Sequence, residues 1–126
     1  MLEVLYSEAT GELELSGTRQ DLRLLGRLLS APAGTCDLAE NREPAPYDRS
    51  LARISFREDP AGGAAAIVAE GTVLRISGGR DALDLLAADI EDFAEESELS
   101  HHLHVDFPTC DFIASGSDPL VVAFLR

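Results

Sequence analysis

Leu2, Val4 and Tyr6 alternate with Glu3, Leu5 and Ser7, the period-two pattern of a strand with one buried face. Glu8-Ala-Thr-Gly11 reads as a hairpin turn, and residues 12–16 then alternate acids with leucines. At that point the period changes. Leu22, Leu25, Leu28 and Leu29 recur three or four apart, which predicts a short amphipathic helix. Thr18, with Asp21 three residues on, supplies its N-terminal cap, and Pro32 and Gly34 stop it near Ser30. Residues 31–50 carry three prolines, a cysteine and mixed charge without any period. A patternless connection of that length predicts a mobile loop. Ala52, Ile54 and Phe56 alternate with Arg53, Ser55 and Arg57 in the next strand.

Beyond a turn at 58–63 the pattern starts again. Strands are predicted over 64–70 and 72–77, and a helix over 80–96 with Leu83, Leu86, Ile90 and Phe93 on its apolar face. Further strands follow over 102–107 and 120–125, separated by a loop from Pro108 to Pro119. The stretch from Leu13 to Leu25 is repeated as Leu74 to Leu86, with Ser16/Ser77, Gly17/Gly78, Arg19/Arg80 and the three later leucines identical. Such self-similarity predicts a duplicated strand–turn–helix unit. In each copy the glycine permits a tight strand-to-helix turn, and the arginine lies over the helix start or bonds a neighbouring carbonyl. The expectation is a single α+β domain over 1–126, built of two tandem strand–strand–helix–strand pseudo-repeats at about 1–57 and 64–125. Its sheet is antiparallel-rich, with two helices on one face.

Charge narrows the range of partners. Twenty-three acidic residues face ten basic ones, all arginine, for a formal net charge of −13. That field repels phosphate backbones, which disfavours direct nucleic-acid binding. It either steers a basic partner by long-range attraction or simply keeps the chain soluble. No apolar run is long enough for a membrane helix, and the first residues do not form a secretory signal. Cys36 and Cys110 stand in no motif, so a cytoplasmic protein with two reduced thiols is expected. Gly-x-Ser-x-Gly, His-Glu-x-x-His and a phosphate loop with lysine are all missing from the text. The reading is non-enzymatic, with no cofactor.

Two places break the plain pattern. His102 and His104 lie two apart on one strand face, with Asp106 next in line. Two imidazoles and a carboxylate suit a metal ion, a hydrogen-bonding pair at a protein interface, or plain solvent exposure. Asp89, Glu91, Asp92, Glu95, Glu96 and Glu98 crowd the second half of the long helix, where carboxylates oppose the negative end of the helix dipole. Either an acidic chain has placed some carboxylates badly, or the cluster docks arginines and lysines of a partner. The candidate partner-binding residues are therefore His102, His104, Asp106, Glu91, Asp92, Glu95 and Glu96.

Three segments in the C-terminal half share an order with a known family. They are Val73 to Leu86, His102-Leu-His-Val-Asp-Phe107, and Phe112-Ile-Ala-Ser-Gly-Ser-Asp-Pro-Leu-Val-Val122, with the acidic helix end between the first two. Over roughly 70–125 the chain resembles bacterial immunity protein family 32, found with polymorphic toxin systems and common in actinomycetes. The N-terminal copy fits more loosely. The resemblance implies a cytoplasmic, non-enzymatic protein that binds and neutralises a cognate toxin domain. The acidic balance is compatible with a basic nuclease toxin, whose positive cleft an acidic surface would occlude. The alternative is an acidic protein-binding or nucleic-acid-mimic module with another partner, or a metal-binding protein using His102 and His104.

Overall fold

The computed structural model describes residues 1–125. In chain order the elements are β1 (Glu3–Tyr6), β2 (Leu13–Gly17), α1 (Arg19–Leu28), β3 (Ala33–Asp37), β4 (Arg49–Ser50), β5 (Arg53–Glu58), β6 (Ala66–Glu70), β7 (Val73–Gly78), α2 (Arg80–Glu96), β8 (His102–Val105) and β9 (Leu120–Phe124). The class is α+β, as the alternating and helical periods predict.

The strands form two mixed sheets where a single antiparallel-rich sheet is expected. One has the order β4-β1-β2-β9-β8 and the other β3-β5-β7-β6. The central pairs, β2 with β9 and β5 with β7, are parallel, and every other named pair is antiparallel. Each sheet joins the hairpin of one half to two later strands of the other: β1-β2 meets β9-β8, and β7-β6 meets β3-β5. The tandem division at about 1–57 and 64–125 is thus not a division into separate layers. Alternation determines which residues of a strand are buried but not which strand lies beside it. Here each helix carries the chain across to the opposite sheet.

Both sheets and both helices contribute to one apolar cluster, with Leu13, Ile54, Leu74, Leu83 and Val122 fully buried. The helices run antiparallel and meet closely at Gly26, where a Cβ would lie 2.4 Å from Glu91 Cγ and 3.2 Å from the Ala87 carbonyl oxygen. Their ends are cross-tied by the repeated arginines. Arg19, at the start of α1, donates to the Ala94 carbonyl near the end of α2 at 2.9 Å and lies 4.7 Å over the Phe124 ring. Arg80, at the start of α2, donates to the Leu29, Ser30 and Ala31 carbonyls that follow α1. The arginine of the repeated motif therefore bonds neighbouring carbonyls, one of the two roles anticipated for it. The Thr18 cap is also present: its hydroxyl accepts from the Asp21 N–H at 3.1 Å, and Asp21 accepts from the Thr18 N–H at 3.1 Å.

The 31–50 segment is not a patternless loop. It contains β3 and β4, and it buries Leu38. Asn41 donates to Glu3 Oε1 at 3.3 Å and Asp48 N–H to the Tyr6 carbonyl at 2.9 Å, so the segment covers part of the outer face of the five-stranded sheet. Burial, then the neighbouring Glu14 carboxylate, pushes the Tyr47 phenol upward. Glu3, Leu5 and Glu14, on the face turned away from the apolar cluster, are accordingly only partly exposed. A strand with Ala, Gly, Thr, Cys and Asp has no apolar alternation to announce it.

Candidate functional site

On α2 the buried residues Leu83, Leu86, Ile90 and Phe93 hold the helix against the core. A turn of 3.6 residues then sorts the carboxylates onto two flanks. Glu91 and Glu95, four apart, face α1: Glu91 lies against Gly26, and Glu95 Oε1 is 2.6 Å from Arg23 Nε. Asp89, Asp92 and Glu96 lie at i, i+3 and i+7 on the other flank, beside β8.

Ser97 to His101 reverse the chain, and β8 returns along that flank. Asp89, Asp92, Phe93, Glu96, Ser97, Ser100 and the run His101–His104 line one open groove of about 650 Å³. The structure therefore brings together two features that are separate in the sequence, the histidine strand and the acidic helix end. Four of the seven candidate residues, His102, His104, Asp92 and Glu96, share this groove. Glu91 and Glu95 do not line it. Asp106 lies just past β8, starts the turn in which Cys110 N–H donates to its carbonyl at 2.8 Å, and does not line it either. Its Oδ1 is buried without a hydrogen-bond partner.

Among the described residues no basic side chain lines the groove except the histidines, and no basic residue stands in the last turn of α2. The negative end of the α2 dipole adds to the three carboxylates, although Arg19 meets the Ala94 carbonyl on the side away from the groove lining. Burial first, and the neighbouring Asp92 second, push the Asp89 carboxyl above its ordinary value of 3.8. Asp89 belongs to the acidic run visible in the sequence, but only its position facing β8 distinguishes it as a lining residue. Among the described residues no group of three or more His, Cys, Asp or Glu side chains converges as metal ligands. His102 and His104, among the described residues, have no third donor converging with them.

Chemically, the site is an open, acidic, partly aromatic surface suited to cationic groups of another molecule. The model of immunity protein 32 matches residues 12–47 and 73–125, and the chain belongs to that family. The match reaches well into the N-terminal half, beyond the roughly 70–125 that carry the resemblance in the sequence. No curated protein and no solved structure matches the chain. Membership implies a toxin-neutralising role and a toxin as partner. No helix of the described residues is long and apolar enough to cross a membrane.

Proposed function

We propose that this protein neutralises a basic toxin domain, as a non-enzymatic cytoplasmic partner, by laying the groove between α2 and β8 over the toxin's cationic surface. A nuclease, whose substrate-binding cleft must be positive, is the toxin class this fits best. The reading rests on the convergence of Asp89, Asp92 and Glu96 with His102 and His104 in one opening. The chain's charge of −13 supports it by supplying long-range attraction before contact. Glu91 and Glu95, on the α1 flank, and Asp106, past the end of β8, do not line the groove and add only to the overall negative charge.

The test pairs this protein with the toxin encoded next to it, measuring association kinetics across a salt series and rescue of growth. Asp92→Asn with Glu96→Gln is expected to slow association roughly tenfold and flatten its salt dependence. Glu40→Gln with Glu43→Gln, two exposed residues between β3 and β4, serves as the control for charge alone. Equal effects from the two pairs, or a toxin that is itself acidic, would refute the assignment.

A further inference from the structure

Two sheets have four edges, and three of them are protected. β4 is two residues long, too short to template another strand. β6 is covered by the segment before β9: Ile67 N–H donates to Ser117 Oγ, Ala69 N–H to Asp118 Oδ2, and Asp118 N–H to the Ile67 carbonyl. The four-residue edge β8 is flanked by the carboxylates of α2, which repel a second acidic chain. The remaining edge, β3, spans five residues, and Ala33-Gly-Thr-Cys-Asp37 has no proline, lysine or arginine to blunt it.

The register shows which groups β3 presents. Glu58 N–H donates to the Pro32 carbonyl and Leu38 N–H to the Ala52 carbonyl. Even-numbered residues of β3 therefore bond β5, and the N–H and C=O groups of Ala33, Thr35 and Asp37 point outward. All three residues are exposed, and among the described residues no backbone bond reaches that side.

We propose that β3 pairs antiparallel with β3 of a second copy of this chain, centred on Thr35, joining two four-stranded sheets into one of eight. This is independent of the toxin-binding groove. Pairing Thr35 with Thr35 and Ala33 with Asp37 matches the outward groups one for one. Charge favours this register. Arg53 and Asp37 occupy one row of β5 and β3, and Arg57 and Ala33 another. Asp37 already pairs with Arg53 at 3.3 Å. The second copy places Arg57, which has no ion pair among the described residues, in the same row across the small Ala33. Each Asp37 then lies between two arginines, twice over by symmetry. The dyad stands perpendicular to the sheet, so both α1 helices fall on one side of it. There the apolar hollow lined by Met1, Leu24, Leu28 and Cys36, about 510 Å³, faces its twin.

Sedimentation of the full chain over a concentration series, at about 0.15 M salt to screen the like charge of the two copies, tests this. The wild type is expected to show a concentration-dependent dimer. Thr35→Pro removes only an outward donor and should leave a folded monomer with a cooperative melt. Arg57→Glu, which leaves the backbone untouched, should weaken the dimer about tenfold. A wild type monomeric at all concentrations overturns the proposal, as does a dimer that survives both substitutions. Protection of the β3 amides from hydrogen exchange only when toxin is bound also overturns it, because the edge would then belong to the toxin.

Discussion

Replacing Arg80 by alanine removes the tie between the start of α2 and the end of α1. Its guanidinium donates to three carbonyls, those of Leu29, Ser30 and Ala31, and contacts Glu58 Oε1 at 3.0 Å and Asp84 Oδ1 at 2.9 Å. Hydrogen bonds from charged donors contribute about 1.5–3 kcal/mol each when buried. Arg80 is 31% exposed and Asp84 57%, so the carboxylate contacts are discounted to well under ~1 kcal/mol each. The carbonyls carry most of the effect, because they lie just past the end of α1 and accept from no other group among the described residues. These contacts are not additive, and a loss of about 2–3 kcal/mol is expected for Arg80→Ala. For a chain of this length that is a fall of roughly 8–12 °C in Tm by circular dichroism. Arg80→Lys keeps the charge without the planar fork and should lose about half as much. Because the bonds to neutral carbonyls are not screened, most of the drop should persist at high salt. A fall below about 3 °C, or one that Glu58→Gln reproduces, would show that the ion pairs and not the carbonyl ties matter.

Four further outcomes follow from other contacts. Thr18→Ala removes half of the capping box with Asp21 and should lower stability by about 1 kcal/mol in urea denaturation. Burial raises the Asp21 pKa, but bonds from the Thr18 backbone and hydroxyl and the charged N-terminus outweigh it, so the net value is lowered. Its stabilisation is therefore present above the ordinary value of 3.8 and lost as pH falls through the lower folded one, a dependence that Asp21→Asn should remove from the pH–stability curve. Asp89 has the opposite sign. Its raised folded pKa means that stability declines as pH rises from 3.8 through the folded value, so Asp89→Asn should raise Tm at about pH 7 and leave it nearly unchanged at about pH 3. Gly26→Ala forces Glu91 aside and crowds the Ala87 carbonyl, and despite better helix propensity it should destabilise by about 1–2 kcal/mol in the same melts.

Much of the fold is legible in period alone. The helix expected over 80–96 is α2, residue for residue, because its apolar stripe, its Gly-Gly start and its chain reversal all agree. β3 is not legible, since an edge strand buries little and needs no apolar alternation. The parallel pairing of β2 with β9 depends on residues far apart in the chain, and no local pattern encodes it. At the site, residue types identify the histidine strand and the acidic helix end separately. Helical geometry then divides the acids. Asp92 and Glu96 turn toward β8, whereas Glu91 and Glu95 turn toward α1, a division that depends on which flank of α2 each neighbour occupies.

The exchange of strands between the two sheets bears on how the chain folds. Leu13 of β2 sits beside Leu120 of β9, and β9 also holds β8 in place. A sheet whose central pair spans most of the chain has to close a very long loop before that pairing stabilises anything. The internal repeat thus does not supply two independent folding nuclei. Each half holds the strands that the other needs, and separately expressed halves should be unfolded alone and regain structure only when mixed. The two halves are mutually dependent, and a lesion in either is felt by both sheets.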